Sequence, residues 1–449
     1  MKNNKYTFFK AINYLKILYN RPVMRRKLFG LYNYHHGFGK ADYSDIKESL
    51  LNEILSYSQQ NCPYYAELYK KKNIPNPSTE SLGKIPFLDK KIIRENYSSI
   101  QSKSKKWVTN YIMNTGGTTG VPLIFPVSSH HEYTHHEFAF KLFGYKKGDK
   151  IVSFDGTVLP KEKTDKNLFW RNINRRSFPY GKVKLSSLYL NNETALIYIS
   201  KLNDIKPDFI RGYPSAINFL ALFMLENNIR FEFELKGAFL TAENILPNQI
   251  LSIRNSFNCP VALEYGHSEV SVFAYTIDDT YEYYCSPFYG YTEVIGGNGK
   301  QVQIGKVGEV VVTGFYNKAL PFIRYKTGDL ALYNGEKDGI TRLKRIEGRT
   351  QDYLLNKEGE KVFVVGLIYG GHHYFLNNIK KWQIYQDRLG FIEIKIVKGV
   401  EFSLEDEYSI KELFLKKEHI ESKIEYVDKI ELTSGGKSRL IVQNTSLKF

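Results

Sequence analysis

Ile151-Val-Ser-Phe154, Ser215-Ala-Ile-Asn-Phe-Leu-Ala-Leu-Phe-Met-Leu-Glu-Asn227 and Val261-Ala-Leu263 are two short apolar runs with a longer segment between them whose apolar residues recur at helical spacing. Such runs alternate with amphipathic segments from about Asp149 to Val312, and that alternation predicts α/β architecture. Outward from it, Gly308-Glu-Val-Val-Val-Thr-Gly314 predicts a strand bounded by glycines. From Asp42 to about Glu137, helical and loop signals alternate. Past Gly348-Arg349 the pattern changes. Phe391-Ile-Glu-Ile-Lys-Ile-Val397 alternates strictly and predicts a strand, and Leu404–Lys417 predicts a helix. The expected organisation is a large multi-sheet α/β domain over 1–352 and a small α+β domain over 353–449. No internal repeat or low-complexity linker interrupts it.

The composition narrows the class of partner. The chain has 449 residues, 42% of them hydrophobic and 24% charged, a globular balance that excludes wholesale disorder. Its 63 Lys+Arg against 47 Asp+Glu leave a net charge of +16, which favours an anionic partner such as a nucleotide, an acidic glycan or a lipid surface. No nucleic-acid partner is expected. Cys62, Cys259 and Cys285 cannot build a disulfide framework and none forms a C-x-x-C pair, so a reducing, cytoplasmic compartment is expected. The longest apolar stretch, Ala216–Leu225, is shorter than the roughly 20 residues that span a bilayer. No signal-peptide core is expected, because Lys10 and Lys16 interrupt the apolar positions of the N-terminus. Residues 1–41 hold nine Lys/Arg and no acid, with Phe8, Phe9, Ile12, Leu15, Ile17 and Leu18 at roughly helical spacing. Periodicity leaves two readings: a basic helix resting through residues 1–34 on the inner face of an anionic membrane, or a helix docked on the protein's own core.

The strongest local signal is Met113-Asn-Thr-Gly-Gly-Thr-Thr-Gly-Val-Pro122, set between the apolar runs Tyr111-Ile-Met113 and Leu123-Ile-Phe125. Small residues let backbone N–H groups close on an anion, and threonine hydroxyls add donors. The segment lacks the G-K-[ST] ending of a P-loop. Read alone, it fits an anion cradle or a Gly/Thr-rich hairpin turn.

Further along come Glu264-Tyr-Gly-His-Ser-Glu269, Arg324-Tyr-Lys-Thr-Gly-Asp329, Glu347-Gly-Arg-Thr-Gln-Asp352 and Ser434-Gly-Gly-Lys-Ser-Arg439. In this order and spacing the five segments resemble the adenylate-forming superfamily of acyl-CoA synthetases, adenylation domains and luciferases. The nearest look is to its phenylacetate–CoA ligase branch, with the CapK-type ligases of capsular polysaccharide biosynthesis. Cys62-Pro-Tyr-Tyr-Ala-Glu-Leu-Tyr69, Ile85-Pro-Phe-Leu-Asp-Lys90 and Arg211-Gly-Tyr-Pro-Ser215 resemble that branch too, so the likeness runs from about Cys62 to Arg439.

The resemblance implies a large adenylate-forming domain, a small mobile C-terminal domain, and an AMP-forming reaction in which a carboxylate attacks the α-phosphate of ATP. It implies that Thr115, Gly116, Gly117, Thr118, Thr119 and Gly120 hold the β- and γ-phosphates. The family often has a lysine just after this loop, where this chain has Val121. Glu269 would bind Mg²⁺. Tyr265 and Gly266, followed by His267 and Ser268, would lie by the adenine and α-phosphate. Thr241-Ala242-Glu243 is similar to the family's Gly-Ala-Glu segment, whose backbone lies against adenine, with Thr241 in place of the glycine. Asp329 would accept both ribose hydroxyls, and Arg349 would contact ribose and phosphates. Asp352 falls at the family's hinge, and Lys437 would stabilise charge developing on the α-phosphate. The acid's pocket would come from Arg211–Ile217, Gly237–Leu240 and Glu264–Ser268. The acceptor implied is CoA or an amine or hydroxyl of a sugar or polysaccharide precursor, and a homodimer is one assembly it allows. The alternative from another class is a non-catalytic peripheral membrane or glycan-binding assembly protein with a degenerate ligase fold.

His131-Glu-Tyr-Thr-His135 matches the H-E-x-x-H pattern of zinc peptidases. No zinc is expected there, because the resemblance places an ordinary surface helix after the phosphate loop, and Phe138 stands where the longer metzincin pattern needs Gly. Cys285 alone is too little for the cysteine cluster that some members of the branch carry.

Overall fold

A computed structural model describes residues 22–38, 41–104, 111–115, 123–128, 132–173, 178–350, 352–364, 367, 373–433 and 435–443. The chain forms two compact units, each built from two segments: residues 1–145 with 263–346, and 146–262 with 347–449. The α/β expectation holds, with helices packed on multi-stranded sheets.

In the first unit a helix over 22–35 turns Met24, Leu28 and Leu31 inward, spaced four and three residues apart and all nearly inaccessible. Arg25 leaves the other side of that helix to pair with Glu137 at 2.8 Å, and His35 Nε2 meets the Tyr275 hydroxyl at 2.8 Å. The apolar stripe of 22–35 is therefore spent on the protein's own core. The membrane reading of residues 1–34 loses that stretch, and residues 1–21 lie outside the described residues. Helices Ser44–Asn61 and Pro63–Lys71 follow, the second started by proline at its first position, where no N–H is needed. The strands of this unit run in the order Gly290–Ile295, Val307–Gly314, Tyr325–Lys337, Ile340–Arg349, Tyr283–Cys285, Phe273–Tyr275 and Val261–Gly266. Gly290–Ile295 and Val307–Gly314 pair antiparallel, and Phe273–Tyr275 pairs antiparallel with the end of Val261–Gly266.

In the second unit Val183–Ser186, Ile151–Asp155, Phe209–Gly212 and Gly237–Leu240 lie side by side in parallel, with Trp170–Asn172 antiparallel at the edge. The chain goes from Ile151–Asp155 to a neighbour on one side, then returns to build on the other. That reversal opens a crevice at the carboxyl ends of Ile151–Asp155 and Phe209–Gly212, the place where open α/β sheets receive ligands. Ser215–Asn227 reads as amphipathic in sequence, but the helix Pro214–Glu226 is buried from Ala216 through Met224 without a break. It packs on helix Pro247–Phe257 on one side and strand Ile379–Arg388 on another, so it has no solvent face to keep polar.

The C-terminal part of this unit is a four-stranded sheet ordered Glu421–Tyr426, Phe391–Lys398, Ile379–Arg388, Ile441–Gln443, covered by helix Leu404–Glu418. Ser403 caps that helix, accepting the Asp406 N–H while Asp406 accepts the Ser403 N–H at 2.8 Å. Ile384, Ile392, Ile394, Ile410 and Phe414 fill its core. Cys62, Cys259 and Cys285 are free and buried, and burial pushes each thiol up to about 12. Among the described residues no helix is long and apolar enough to cross a membrane.

Candidate active site

Strand Val261–Gly266 ends in the segment Glu264–Glu269, and the neighbouring strands supply its partners. The Tyr265 hydroxyl donates to Asp329 Oδ2 at 2.8 Å, joining two motifs 64 residues apart. Burial, and then the Asp329 charge, hold the Tyr265 phenol well above its ordinary range, so it stays a donor. Asp329 lies in strand Tyr325–Lys337 and its own N–H donates to Thr327 Oγ1 at 3.0 Å, so it is not a plain turn residue. Glu269 is buried, with the Tyr325 hydroxyl donating to Oε1 at 2.7 Å and His267 Nδ1 3.1 Å from Oε2. The His267 contact is a close approach and not an aligned hydrogen bond, since neither ring nitrogen has a hydrogen-bond partner. Burial alone would raise the Glu269 carboxyl, but His267 and the Tyr325 hydroxyl outweigh it and bring it down to about 2. Glu269 is therefore an ionised, hard oxygen donor, the kind Mg²⁺ takes beside phosphates. Gly266 is exposed, and His267 and Ser268 are half-buried.

The hairpin Tyr111–Asn114 and Ile124–Val127 frames the Gly/Thr loop, in register Asn114 opposite Ile124. Thr115 stands buried at its base: its N–H donates to the Leu123 carbonyl and its hydroxyl accepts the Leu123 N–H, both at 3.0 Å. Gly116, Gly117, Thr118, Thr119, Gly120 and Val121 lie outside the described residues. So does His131. The helix that follows, Glu132–Leu142, is not the surface helix that the resemblance implied: Thr134, His135, Phe138, Ala139 and Phe140 are buried. His135 Nε2 is 3.0 Å from Ser286 Oγ, with its ring edge-on to Phe273 and Tyr289. His136 Nδ1 is 3.0 Å from the buried Glu264, next to Tyr265.

The second unit assembles its own cluster at the sheet crevice. Gly435 and Gly436 lie backbone-to-backbone on Gly156: a Cβ at Gly156 would stand 1.7 Å from the Gly435 carbonyl oxygen. The Ser187 hydroxyl donates to the Gly436 carbonyl at 2.9 Å and the Tyr213 hydroxyl to the Gly435 carbonyl at 3.1 Å. Lys437, next in sequence, has its ammonium 5.7 Å from the centre of the Tyr213 ring. The loop is therefore docked, not a free surface turn. Glu243 uses its carboxylate here, accepting the Ser438 N–H at 2.7 Å and the Ser215 N–H at 3.0 Å. Ala242, just before it, is exposed with φ +71°, a left-handed turn that aims Glu243 back at the helix start. Arg349 is half-buried at the end of its strand, and its carbonyl accepts the Asp352 N–H at 2.9 Å.

The CapK C-terminal domain family matches residues 354–444. Protein CapK of Staphylococcus aureus is 29% identical over 430 residues, 90% of each chain. Phenylacetate-coenzyme A ligase of Pseudomonas putida is 25% identical over 325 residues, 69% of this chain and 71% of the relative. The chain is thus similar to the CapK-type and phenylacetate-CoA ligase proteins, the family model matching its C-terminal part and the relatives most of its length. Among solved structures, 2-hydroxyisobutyryl-CoA ligase in its postadenylation state superposes with a TM-score of 0.69 at 17% identity, covering 90% of both chains. An acyl acid amido synthetase in complex with 2,4-DB superposes at 0.59 and 14%, covering 94% and 95%. At such identities the likeness is one of fold.

Sequence reading overlooked several residues of these clusters. Tyr325 was quoted only as part of a motif, although it donates to Glu269. Ser215 and Ser438 stood in quoted motifs without a role of their own, and Gly156 and Ser187 carried no motif at all. Gly156, two residues after the apolar run Ile151–Phe154 that reads as a strand, was the local signal of a close backbone approach.

Proposed function

We propose that this chain is an AMP-forming ligase that activates a carboxylic acid as its acyl-adenylate and passes the acyl group to CoA or to an amine or hydroxyl of a sugar or polysaccharide precursor. The observation that carries the reading is the Tyr265–Asp329 hydrogen bond of 2.8 Å, which brings an aromatic ring and a ribose-type carboxylate acceptor together from separate motifs. A carboxylate offers about four acceptor sites, which suits a pair of vicinal hydroxyls. Glu269, kept ionised, suits Mg²⁺. Glu269 would hold the metal, which would supply charge neutralisation to the substrate's phosphates.

In this reading Tyr265, with Gly266, His267 and Ser268, lines the nucleotide, Asp329 and Arg349 hold its ribose, and residues 115–120 hold the β- and γ-phosphates. The acid's carboxylate oxygen attacks the α-phosphorus as the bond to pyrophosphate breaks. Lys437 faces the charge that develops on the α-phosphate oxygens, an interaction stronger in the transition state than with bound ATP. The segment after Asp352 then swings Lys437 away and admits the acceptor. The net charge of +16 fits an anionic acceptor.

The test is ATP–pyrophosphate exchange with the purified chain, Mg²⁺ and a panel of carboxylic acids. Acid-dependent label entering ATP is the expected result. A folded chain that exchanges with no acid, and binds no ATP by calorimetry, overturns the reading in favour of the non-catalytic assembly protein.

A further inference from the structure

We propose that Glu243 is the positioning residue for Lys437, a role for its side chain distinct from any contact its backbone makes with nucleotide; this rests on the reading of Lys437 given above. The carboxylate gathers three donors. Oε1 accepts the Ser438 N–H at 2.7 Å and the Ser215 hydroxyl at 3.1 Å, and Oε2 accepts the Ser215 N–H at 3.0 Å. Ser438 directly follows Lys437, so the grip on its N–H fixes the main chain on the carboxyl side of the lysine.

Lys437 is also held from inside its own turn. Its N–H donates to Thr433 Oγ1 at 3.1 Å, its carbonyl accepts the Thr433 N–H at 2.9 Å, and Leu432 bridges Ser438. Those bonds shape the turn and leave its place undetermined. Three side chains tie the turn to the sheet: Ser187, Tyr213 and Glu243. Glu243 alone of these is charged, and charge-assisted bonds are roughly twice as strong as neutral ones.

Glu243 is itself anchored. Ser215 lies in the first turn of the helix Pro214–Glu226, where the helix dipole favours a carboxylate. Burial raises the Glu243 carboxyl, and the Ser215 and Ser438 amides and the Lys437 charge oppose it. A second lysine faces it as well. The Lys381 ammonium lies 4.6 Å from the centre of the Phe219 ring, and burial brings it down to about 8 against the pull of Glu243. Glu243 thus stands between two cations of the C-terminal segment and the amino end of a helix of the preceding segment.

Such a clamp suits a lysine that must arrive and leave. Its hydrogen bonds run from neutral donors of Ser215 and Ser438 to one carboxylate. In Glu243→Gln one oxygen becomes an NH₂ group, and one of the two facing N–H groups then meets a donor. In Glu243→Asp the carboxylate falls one methylene short.

The experiment measures amide hydrogen exchange over residues 431–443 in the full chain, without substrate, for wild type, E243Q and K437A. It then measures both half-reactions with ATP and the acid returned by the exchange panel. Losing a charge-assisted bond should speed Ser438 exchange by about 10- to 100-fold in E243Q, while K437A, which keeps that bond, stays near wild type. E243Q should slow adenylate formation and leave acyl transfer from pre-made adenylate at the wild-type rate, with E243D intermediate. Unchanged Ser438 exchange in E243Q overturns the proposal whatever the activities. So does faster exchange with wild-type adenylation when K437A is slow. If K437A itself forms adenylate at the wild-type rate, the reading of Lys437 falls first, and the role of Glu243 falls with it.

Discussion

Replacing Gly156 by alanine tests how Lys437 is placed without touching a polar group. The new Cβ would stand 1.7 Å from the Gly435 carbonyl oxygen, 2.0 Å from its carbon and 2.6 Å from the Gly436 nitrogen. Non-bonded heavy atoms rest at about 3.5–4.0 Å. All three crowded atoms are backbone, so no side chain can swing aside, and the loop must retreat by well over about 1 Å. Gly156 does not have a positive φ, so its own strand accepts alanine without strain. A displacement of about 1 Å at a catalytic group typically costs about 100-fold in rate, or about 2.7 kcal/mol in the barrier. Gly156→Ala should therefore slow ATP–pyrophosphate exchange by about that factor. It should spare acyl transfer from pre-made adenylate, because in the proposed mechanism Lys437 has left by then. Near-wild-type thermal melting would confirm that the sheet is intact. If the variant exchanges at the wild-type rate, the docked position of Gly435–Lys437 is not the one in which the chemistry happens.

Lys437→Ala should lower adenylate formation by about 100–1,000-fold and leave acyl transfer from pre-made adenylate unchanged; equal slowing of both halves would show Lys437 to be a general structural cation. Glu269 has a native pKa of about 2 against an ordinary 4.5, so its ionised form stabilises the fold above pH 4.5, and that contribution is lost as pH falls from 4.5 towards 2. The loss is on the order of 3 kcal/mol, and urea titrations from pH 7 to 3 should show Glu269→Gln less acid-sensitive than wild type; parallel curves would mean that His267 and Tyr325 do not favour the carboxylate. Leu31→Ala, at a fully buried position of the N-terminal helix, should cost about 2–5 kcal/mol in denaturant unfolding; no loss would mean that the helix is undocked in solution. Purified protein should carry no stoichiometric zinc, because the His135 imidazole is engaged by Ser286; one zinc per chain, lost on His135→Ala, would refute this.

Much of the fold was legible because it rests on short-range periodicity. Strict alternation from Phe391 to Val397 is a strand over Phe391–Lys398, and the helical pattern from Leu404 ends within a residue of the helix found, Leu404–Glu418. The α/β class followed from the alternation of Ile151–Phe154, Ser215–Asn227 and Val261–Leu263 alone. Ordered motifs pointed to the resemblance, because a family's chemistry needs given residue types in a given order. Periodicity misjudged the surroundings, however. Pro214–Glu226 is enclosed because strand Ile379–Arg388, more than 150 positions along the chain, covers the side its polar residues suggested was open. His135 likewise reads as part of a surface helix until Ser286, Phe273 and Tyr289 close over it.

By itself the sequence determined the fold class and the identity of the chemical groups: a tyrosine, two carboxylates and a lysine in motifs. Tertiary structure decided what each group is. The Tyr325 hydroxyl and His267 set the ionisation of Glu269, Asp329 set the donor state of Tyr265, and Glu243 with the bare backbone of Gly156 sets the place of Lys437. The physical reason is range. Dihedral preference and hydrophobic period act over a few residues and are written locally, whereas a carboxylate's charge state and a lysine's position depend on partners within about 3 Å that arrive from distant parts of the chain.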